Sequence, residues 1–455
     1  MMSKRIPFNQ VDTAIYHSDQ APYLWNIHFE VRVEGRLDPS RLAAAALEAV
    51  RRHPMARARI RPFGRMTRTI HWWIDDEVAA VPLEIVDCTQ DAEVQAVRVR
   101  LLNRRIDLQV GPPLALALAH HPKGDYLIMS LSHVVGDGVS AYRLMASICR
   151  AYTGSADPQP DLPLAQVRNL RGHVRRRNPA DARTRLRAVA RHLSDSRNDP
   201  PVSLAVDGGS GGAQGQGIHL LRFDRDEAER IAARRVKPAT INDLLLAALA
   251  VTIRRFNDLR GVAPGRISLL MPVNLRPAEW RYELVSNIVS MVPVRVPECA
   301  QSDLAAAQAA VAKRTAELKE KRLAGVAVDI FGMLGILPAG ARNAAVRWSH
   351  GLPADSAETG VLTNMGVVPP LDFGAGAGTT TEGWGSGPAG MPLGISVAIG
   401  SCNGQIFLTL RYCRGQFDAE GAAQFAADLR KVLLDEPSPG LFASADSGIP
   451  HRIPG

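Results

Sequence analysis

The sequence predicts a mixed α/β fold, with helices packed on mixed sheets, and three observations predict it. Apolar, β-prone runs and runs of helical spacing occur in both halves of the 455-residue chain. A hairpin runs directly into a helix near Ser132, and an arginine-rich stretch followed by glycines separates the halves. The expected organisation is therefore residues 1–160, a connector over 161–217, and residues 218–455.

In the first part, Ile27 to Val33 reads as a strand, Pro39 to Arg52 as a helix and Ile70 to Ile74 as a strand. Trp72 and Trp73 are adjacent on that strand, so one faces inward and the other outward. Leu114 to Ala119 and Tyr126 to Ser132 are apolar runs separated by a Pro/Gly-containing turn, which reads as a hairpin. Ala141, Leu144, Met145, Ile148 and Tyr152 recur at helical spacing, so a helix opens at about Ser140 and stops near Thr153-Gly154. In the connector, Ala180 to Leu193 is compatible with an arginine-rich helix, and Asp207 to Gly217, with six glycines, reads as a flexible linker. In the last part, Thr240 is a plausible N-cap for a helix carrying Leu244, Leu245, Ala248 and Ile253. Ile267 to Val273 and Ile288 to Val296 read as strands. Leu393 to Ile399 and Ile406 to Arg411 form an expected hairpin around Asn403-Gly404, followed by a helix from Ala419 to Leu434.

The strongest chemical signal is Ser132-His133-Val134-Val135-Gly136-Asp137-Gly138, at the expected strand-to-helix junction. A histidine at the end of a buried strand can act as a general base, because its ordinary pKa of roughly 6.5 allows proton uptake near neutrality. Asp137 would hold the loop or orient the ring, and Gly138 would let the backbone turn sharply. The pattern equally describes a core histidine beside a turn aspartate. Chance, however, supplies only on the order of 0.05 His-x-x-x-Asp-Gly strings in a chain with 12 histidines. A second His-x-x-x-Asp, His121 to Asp125, is followed by Tyr126 rather than glycine, and Pro122 and Gly124 mark it as an exposed hairpin tip.

Bulk composition narrows the classes. The five cysteines show no Cys-x-x-Cys spacing and are odd in number, which argues against a disulfide framework or a zinc site and suits a reducing cytoplasm. The start lacks an apolar core of signal-peptide length. The apolar stretch Ile330 to Leu337 stops at Pro338, too short to span a bilayer. Arg168 to Arg197 holds ten arginines against two aspartates, a net +8 within a chain total of +9. That segment reads either as a solvated helix or as a dock for an acidic partner or lipid surface, and it lacks the aromatics that nucleic-acid binding would use. Gly385 to Gly390 spells Gly-x-Gly-x-x-Gly without a preceding strand. Gly374 to Gly390 is instead expected to be a mobile loop near the site, and a dinucleotide fold is disfavoured. The chain has no Gly-x-Ser-x-Gly, P-loop or His-Glu-x-x-His motif, so no metal or nucleotide chemistry is expected.

Taken together with other segments, the motif resembles the superfamily of thioester-dependent acyltransferases that share HHxxxDG: nonribosomal-peptide condensation domains, polyketide-associated acyltransferases and wax ester synthase/diacylglycerol acyltransferases. The resemblance rests on His133, Asp137 and Gly138, on IDLQVGPPL (Ile106 to Leu114) and on RHPMARARI (Arg52 to Ile60). In the second half it rests on TINDLLLAAL (Thr240 to Leu249), PVNLRP (Pro272 to Pro277) and SNIVSMVPVRVP (Ser286 to Pro297), which look most like the wax ester synthase branch. Ser132 stands where most members carry the first histidine.

The resemblance implies two chloramphenicol-acetyltransferase-like halves forming a pseudo-dimer, with a central channel and His133 at its middle. It implies acyl transfer from acyl-CoA or a phosphopantetheinyl carrier, as co-substrate rather than resident cofactor, to a hydroxyl acceptor. A free-standing condensation enzyme acylating an amine, and a non-catalytic scaffold suggested by Ser132, are the alternatives. Asp137 would pair with an arginine from the second half, Arg276 first and Arg295 behind it. The Gly138 N–H would be the first oxyanion donor, with Ser290 and Asn364 as side-chain candidates. An acidic carrier protein would suit the basic segment and lose contact on charge reversal at Arg175, Arg176 and Arg177. With both halves in one chain, a monomer, cytoplasmic or peripheral at a membrane surface, is expected.

Overall fold

A computed structural model describes residues 4–159, 163–174, 178–209, 214–280, 283–350, 358–390 and 393–435. Two sheets carry the fold. The first runs in the order Thr380–Ser386, Asn26–Val33, Tyr126–Ser132, Leu114–His120, Leu83–Asp87, antiparallel throughout except for the last pair. The second runs Val289–Val296, Ile267–Asn274, Gly360–Val367, Ile395–Cys402, Gln405–Cys413, Gln216–Phe223, with Gly360–Val367 parallel to both its neighbours. A small sheet of Lys4–Pro7, His71–Ile74 and Ala58–Arg59 flanks the first. This is the mixed α/β class the sequence predicts.

Helices bury both large sheets, and the first is covered on its second face as well, by Asp91–Leu102 over Ala117, Ala119 and Ile128. Gly138–Thr153 and Pro39–Arg52 cover the first, contributing Leu144, Met145, Ile148, Leu42 and Val50 to a core that includes Phe29 and Met129. Ile241–Asp258 and Ala419–Leu434 cover the second, around Phe256, Phe417 and Phe425. Ile241–Asp258 is apolar nearly all round because it is sunk between the sheet and Leu304–Glu320. Its start is a capping box: Asp243 N–H donates to the Thr240 hydroxyl, and the Asp243 carboxylate accepts from Thr240 N–H. Gly154 ends the motif helix in the left-handed region, φ +71°.

Several expectations need correction. Thr380–Ser386 is a strand, not a mobile loop, and it pairs with Asn26–Val33 at the edge of the first sheet. Its inward positions, Thr380, Glu382, Trp384 and Ser386, are mostly polar, which hides the alternation. Burial is possible because Arg32 donates to Glu382 at 2.8 Å and Trp384 Nε1 donates to it at 3.0 Å. The tip at His121 to Asp125 is a turn exposed only at Pro122 and Lys123: Asp125 is fully buried and accepts from Leu37 N–H and His120 Nδ1, both at 2.8 Å. The ends of the expected linker are pinned, since Gln216 and Gly217 already lie in a strand and Asp207 N–H donates to the Gln416 carbonyl at 2.9 Å.

The arginine-rich segment is not uniformly a solvated face. Arg168 and Arg185 turn inward and are buried, Arg185 pairing with Asp329 at 2.6 Å and donating to the Gly325 carbonyl. Leu170 and Val167 beside Arg168 are buried as well, so the run carries its own apolar anchor. Arg175, Arg176 and Arg177 lie outside the described residues. No single described helix is long and apolar enough to cross a membrane.

Candidate active site

The first sheet delivers the motif. Leu131 and Ser132 finish a fully buried strand, and His133 N–H donates to the Trp25 carbonyl at 2.8 Å, carrying the pairing one residue past the strand end. The chain then turns, and Asp137 caps the following helix by accepting from Ser140 N–H at 3.0 Å. His133 is half-buried, its ring tilted beside Trp25 with centroids 6.1 Å apart. Its Nδ1 lies 3.0 Å from the Gly136 carbonyl oxygen. A carbonyl only accepts, so Nδ1 carries the hydrogen and Nε2 keeps its lone pair. Burial lowers the ring's pKa below the ordinary imidazole value, against the opposing pull of the Asp137 carboxylate and the hydrogen bonds to the loop.

Asp137 does not contact the imidazole ring. It faces the second half, where Arg276 grips it in two parallel hydrogen bonds, Nη1 to Oδ2 at 2.7 Å and Nη2 to Oδ1 at 2.9 Å. Ile288 N–H and the Ser140 hydroxyl donate to the same carboxylate at 3.0 and 2.9 Å. Burial works to raise this carboxyl, but the Arg276 charge and the hydrogen bonds outweigh it and hold Asp137 below the usual carboxylate range. Arg276 Nη2 also donates to the Ser286 carbonyl at 2.7 Å, so one guanidinium ties the motif helix to two segments of the second half. Arg295 lies farther along Val289–Val296, opposite Ser268, and is not Asp137's partner.

Three further residues complete the frame. Asn287 Nδ2 donates to the carbonyls of His133 at 2.7 Å and Val134 at 3.0 Å, fixing the loop that carries the imidazole. Behind it, Arg168 bridges the Ser286 hydroxyl, at 2.9 Å, and the Asp12 carboxylate. Asp12 also accepts from Trp72 Nε1 at 2.9 Å. Asn287 stands next to Ser286 in the SNIV segment already singled out, which is the one sequence signal that pointed to it. Arg168 and Asp12 are 156 residues apart, and nothing local announces their pairing.

The other candidates are placed differently. Gly138 has an ordinary backbone conformation; what its missing side chain permits is the close approach of Met365, whose Sδ would lie 3.0 Å from a Cβ there. As the first residue of the helix it has no intrahelical acceptor for its N–H. Ser290 is buried and donates to the Ala324 carbonyl, which removes its hydrogen from any oxyanion role. Asn364 lies beside Met365, but its Oδ1 accepts from Gly366 N–H at 2.8 Å. Ser132 is buried, its hydroxyl accepting from Val134 N–H at 3.4 Å. A cavity of about 550 Å³ opens beside this frame, walled by Met271, Asn274, Leu275, Val292 and Ala324, with Lys319 on its wall as well. Its wall reaches the two residues before Arg276 but does not include His133. Among the described residues no cluster of three or more His, Cys, Asp or Glu could hold a metal.

With this geometry in hand, comparison with known proteins gives a consistent result. Residues 14–325 match the family described as Condensation domain. The uncharacterized protein Rv2305 of Mycobacterium tuberculosis is 33% identical over 92% of this chain and 97% of its own length. Tyrocidine synthase 3 of Brevibacillus parabrevis is 30% identical over 30% of this chain, a match spanning 2% of that far longer protein. Among solved structures, the first condensation domain of the calcium-dependent antibiotic synthetase superposes with TM-score 0.71 at 16% identity, covering 96% of this chain and 98% of that one. The starter condensation domain of rhizomide synthetase, in a mutant solved with C8-CoA and Leu-SNAC, superposes with TM-score 0.65 at 16% identity, covering 94% of each.

Proposed function

The chain belongs to the condensation-domain family, whose members transfer acyl or aminoacyl groups, and from that premise we propose that it moves an acyl group from a thioester to a hydroxyl with His133 as general base. The donor is acyl-CoA or a phosphopantetheinyl carrier, and the product is an ester. The observation that carries this reading is the Nδ1 contact with the Gly136 carbonyl, which leaves Nε2 as the proton acceptor. In the step proposed, Nε2 takes the acceptor's hydroxyl proton while the oxygen bonds to the thioester carbon. The tetrahedral intermediate then expels the thiolate, which takes the proton back from the imidazolium. A thioester is already activated, so alignment of the two substrates and this proton transfer supply most of what the reaction needs. The Gly138 N–H is the proposed oxyanion donor; Asp137 and Arg276 act as positioning residues that hold the loop.

Ester formation is favoured by the second-half segments that look most like the wax ester synthase branch. An amine acceptor is the second reading, favoured by the rhizomide synthetase structure, solved with Leu-SNAC beside C8-CoA. The test is free-thiol release from a panel of acyl-CoA thioesters offered with alcohols or amines, with product mass measured. His133→Ala is expected to lower the rate on turned-over substrates by about 10²- to 10⁴-fold. Equal rates for wild type and variant would remove the base assignment.

A further inference from the structure

The apolar stretch Ile330 to Leu337 is not used by the site, and the structure leaves Met333, Leu334, Ile336 and Leu337 of it exposed. Helix Gly325–Leu334 runs into a turn at Ile336 to Pro338, and helix Ala339–His350 leaves it at a steep angle. Ile336 and Trp348 are each 71% exposed, and Met66, on the loop beside the turn, is 79% exposed. Met333, Leu334 and Leu337 add to the same surface. Isolated exposed apolar residues are ordinary in soluble proteins, but five on one turn and the loop bonded to it are not, and Trp348 adds a sixth toward the far end of the second helix.

The corner is built. Ala339 N–H donates to the Thr67 carbonyl and Gly340 N–H to the Arg65 carbonyl, both at 2.8 Å. Buried Arg342 ties the turn to the loop, donating to the Leu337 carbonyl at 2.7 Å and to the Arg68 carbonyl. The turn and its loop carry basic side chains, with acids only beyond them at Asp329 and at Asp75 to Glu77, where Asp75 pairs with Arg59. Residues 57–74 hold five arginines and no acid, and residues 330–348 hold Arg342 and Arg347 and no acid. Arg61, Arg65, Arg68 and Arg347 are exposed.

We propose that this corner docks the protein on a bilayer bearing anionic headgroups, with Ile336, Leu337 and Trp348 entering the interface and Arg65, Arg68 and Arg347 meeting phosphates. An exposed apolar turn with exposed arginines on the adjoining loop and helix matches the layered chemistry of such a surface, apolar within and anionic without, and a tryptophan suits the boundary between them. The occupant fits by charge: a neutral surface would leave these arginines unused. The proposal stands apart from the acyl-transfer reading and is tested without it.

The experiment is flotation of the full-length protein with vesicles of phosphatidylcholine alone or mixed with phosphatidylglycerol, at low and high salt. Binding is expected only to the mixed vesicles and is weakened by salt. Ile336→Ser with Trp348→Ala, and separately Arg65→Glu with Arg68→Glu, should each lower the bound fraction at least about tenfold, all four side chains being exposed. Arg187→Glu, on the exposed side of Pro179–Asn198, should leave binding unchanged. Binding to neither vesicle, unchanged binding by the corner variants, or loss on Arg187→Glu would each overturn the proposal. So would a concentration-dependent dimer that Ile336→Ser dissolves, since the corner would then be a self-association face.

Discussion

His133 takes its orientation from a backbone carbonyl within its own loop, and this separates the motif's two polar residues by task. The imidazole is aimed by Gly136 and by Asn287 pinning the main chain, while Asp137 spends its lone pairs on Arg276, Ser140 and Ile288. The pH dependence follows with a definite sign. A base works only when unprotonated, and burial favours the neutral ring, so the acidic limb of kcat/KM should fall below pH 6.5, with a plateau above it. A limb above pH 6.5 would mean that the Asp137 charge dominates and that the proposed electrostatics are wrong. At this scale the four-residue spacing displayed His133 and Asp137, whereas Arg276 was singled out only through the resemblance of its segment PVNLRP. The sequence did not display Arg168 with Asp12, whose pairing exists only once the chain has folded. Nor did it show that the Ser290 and Asn364 side chains bond to main-chain groups near them.

Elements were legible where the alternation is apolar and the ends are capped. Pro39–Arg52 and Ala419–Leu434 fall on the expected residues, with Asp38 and Asp418 accepting at their starts, and the Asn403-Gly404 turn has both residues at positive φ, 53° and 78°. Thr380–Ser386 was illegible because its inward residues are polar and its partner strand lies more than 340 residues away. The hairpin before the motif shows the opposite error, where a turn signal is correct but burial is underestimated. Gly124 sits at φ +107°, and a Cβ there would lie 2.1 Å from the Val33 carbonyl oxygen. Gly124→Ala is therefore expected to destabilise the protein by at least about 2 kcal/mol, from a backbone region closed to alanine and a clash with backbone that cannot yield. The loss would appear as a lower denaturation midpoint. An unchanged midpoint would mean that the tip rearranges freely and does not hold Asp125 against Leu37.

Across the whole molecule the two halves are fastened at the Ser132 end of the motif strand, from two sides. On one side Arg276 and Asn287 reach from the second half to Asp137 and His133; on the other, buried Arg411 donates to the Gln216 side chain at 2.6 Å and to the Asn26 carbonyl, opposite Ser132. The strand Thr380–Ser386 adds a sheet edge supplied by the later part of the chain to the earlier part. Separation of the halves would thus open a sheet, strand a bidentate ion pair and release the loop that carries the imidazole, all at once. Unfolding is accordingly expected as one cooperative transition by calorimetry and by tryptophan fluorescence, despite the two hydrophobic cores. Asp137→Ala should lower stability by about 3–5 kcal/mol, because it leaves the Arg276 guanidinium buried without its carboxylate. It should move the single transition as a whole. Arg276→Ala in the Asp137→Ala background should then cost much less than in wild type, since the partner is already gone. Two separated transitions, only one of them shifted by Asp137→Ala, would show that the halves fold independently and that the cross-links merely decorate a preformed contact.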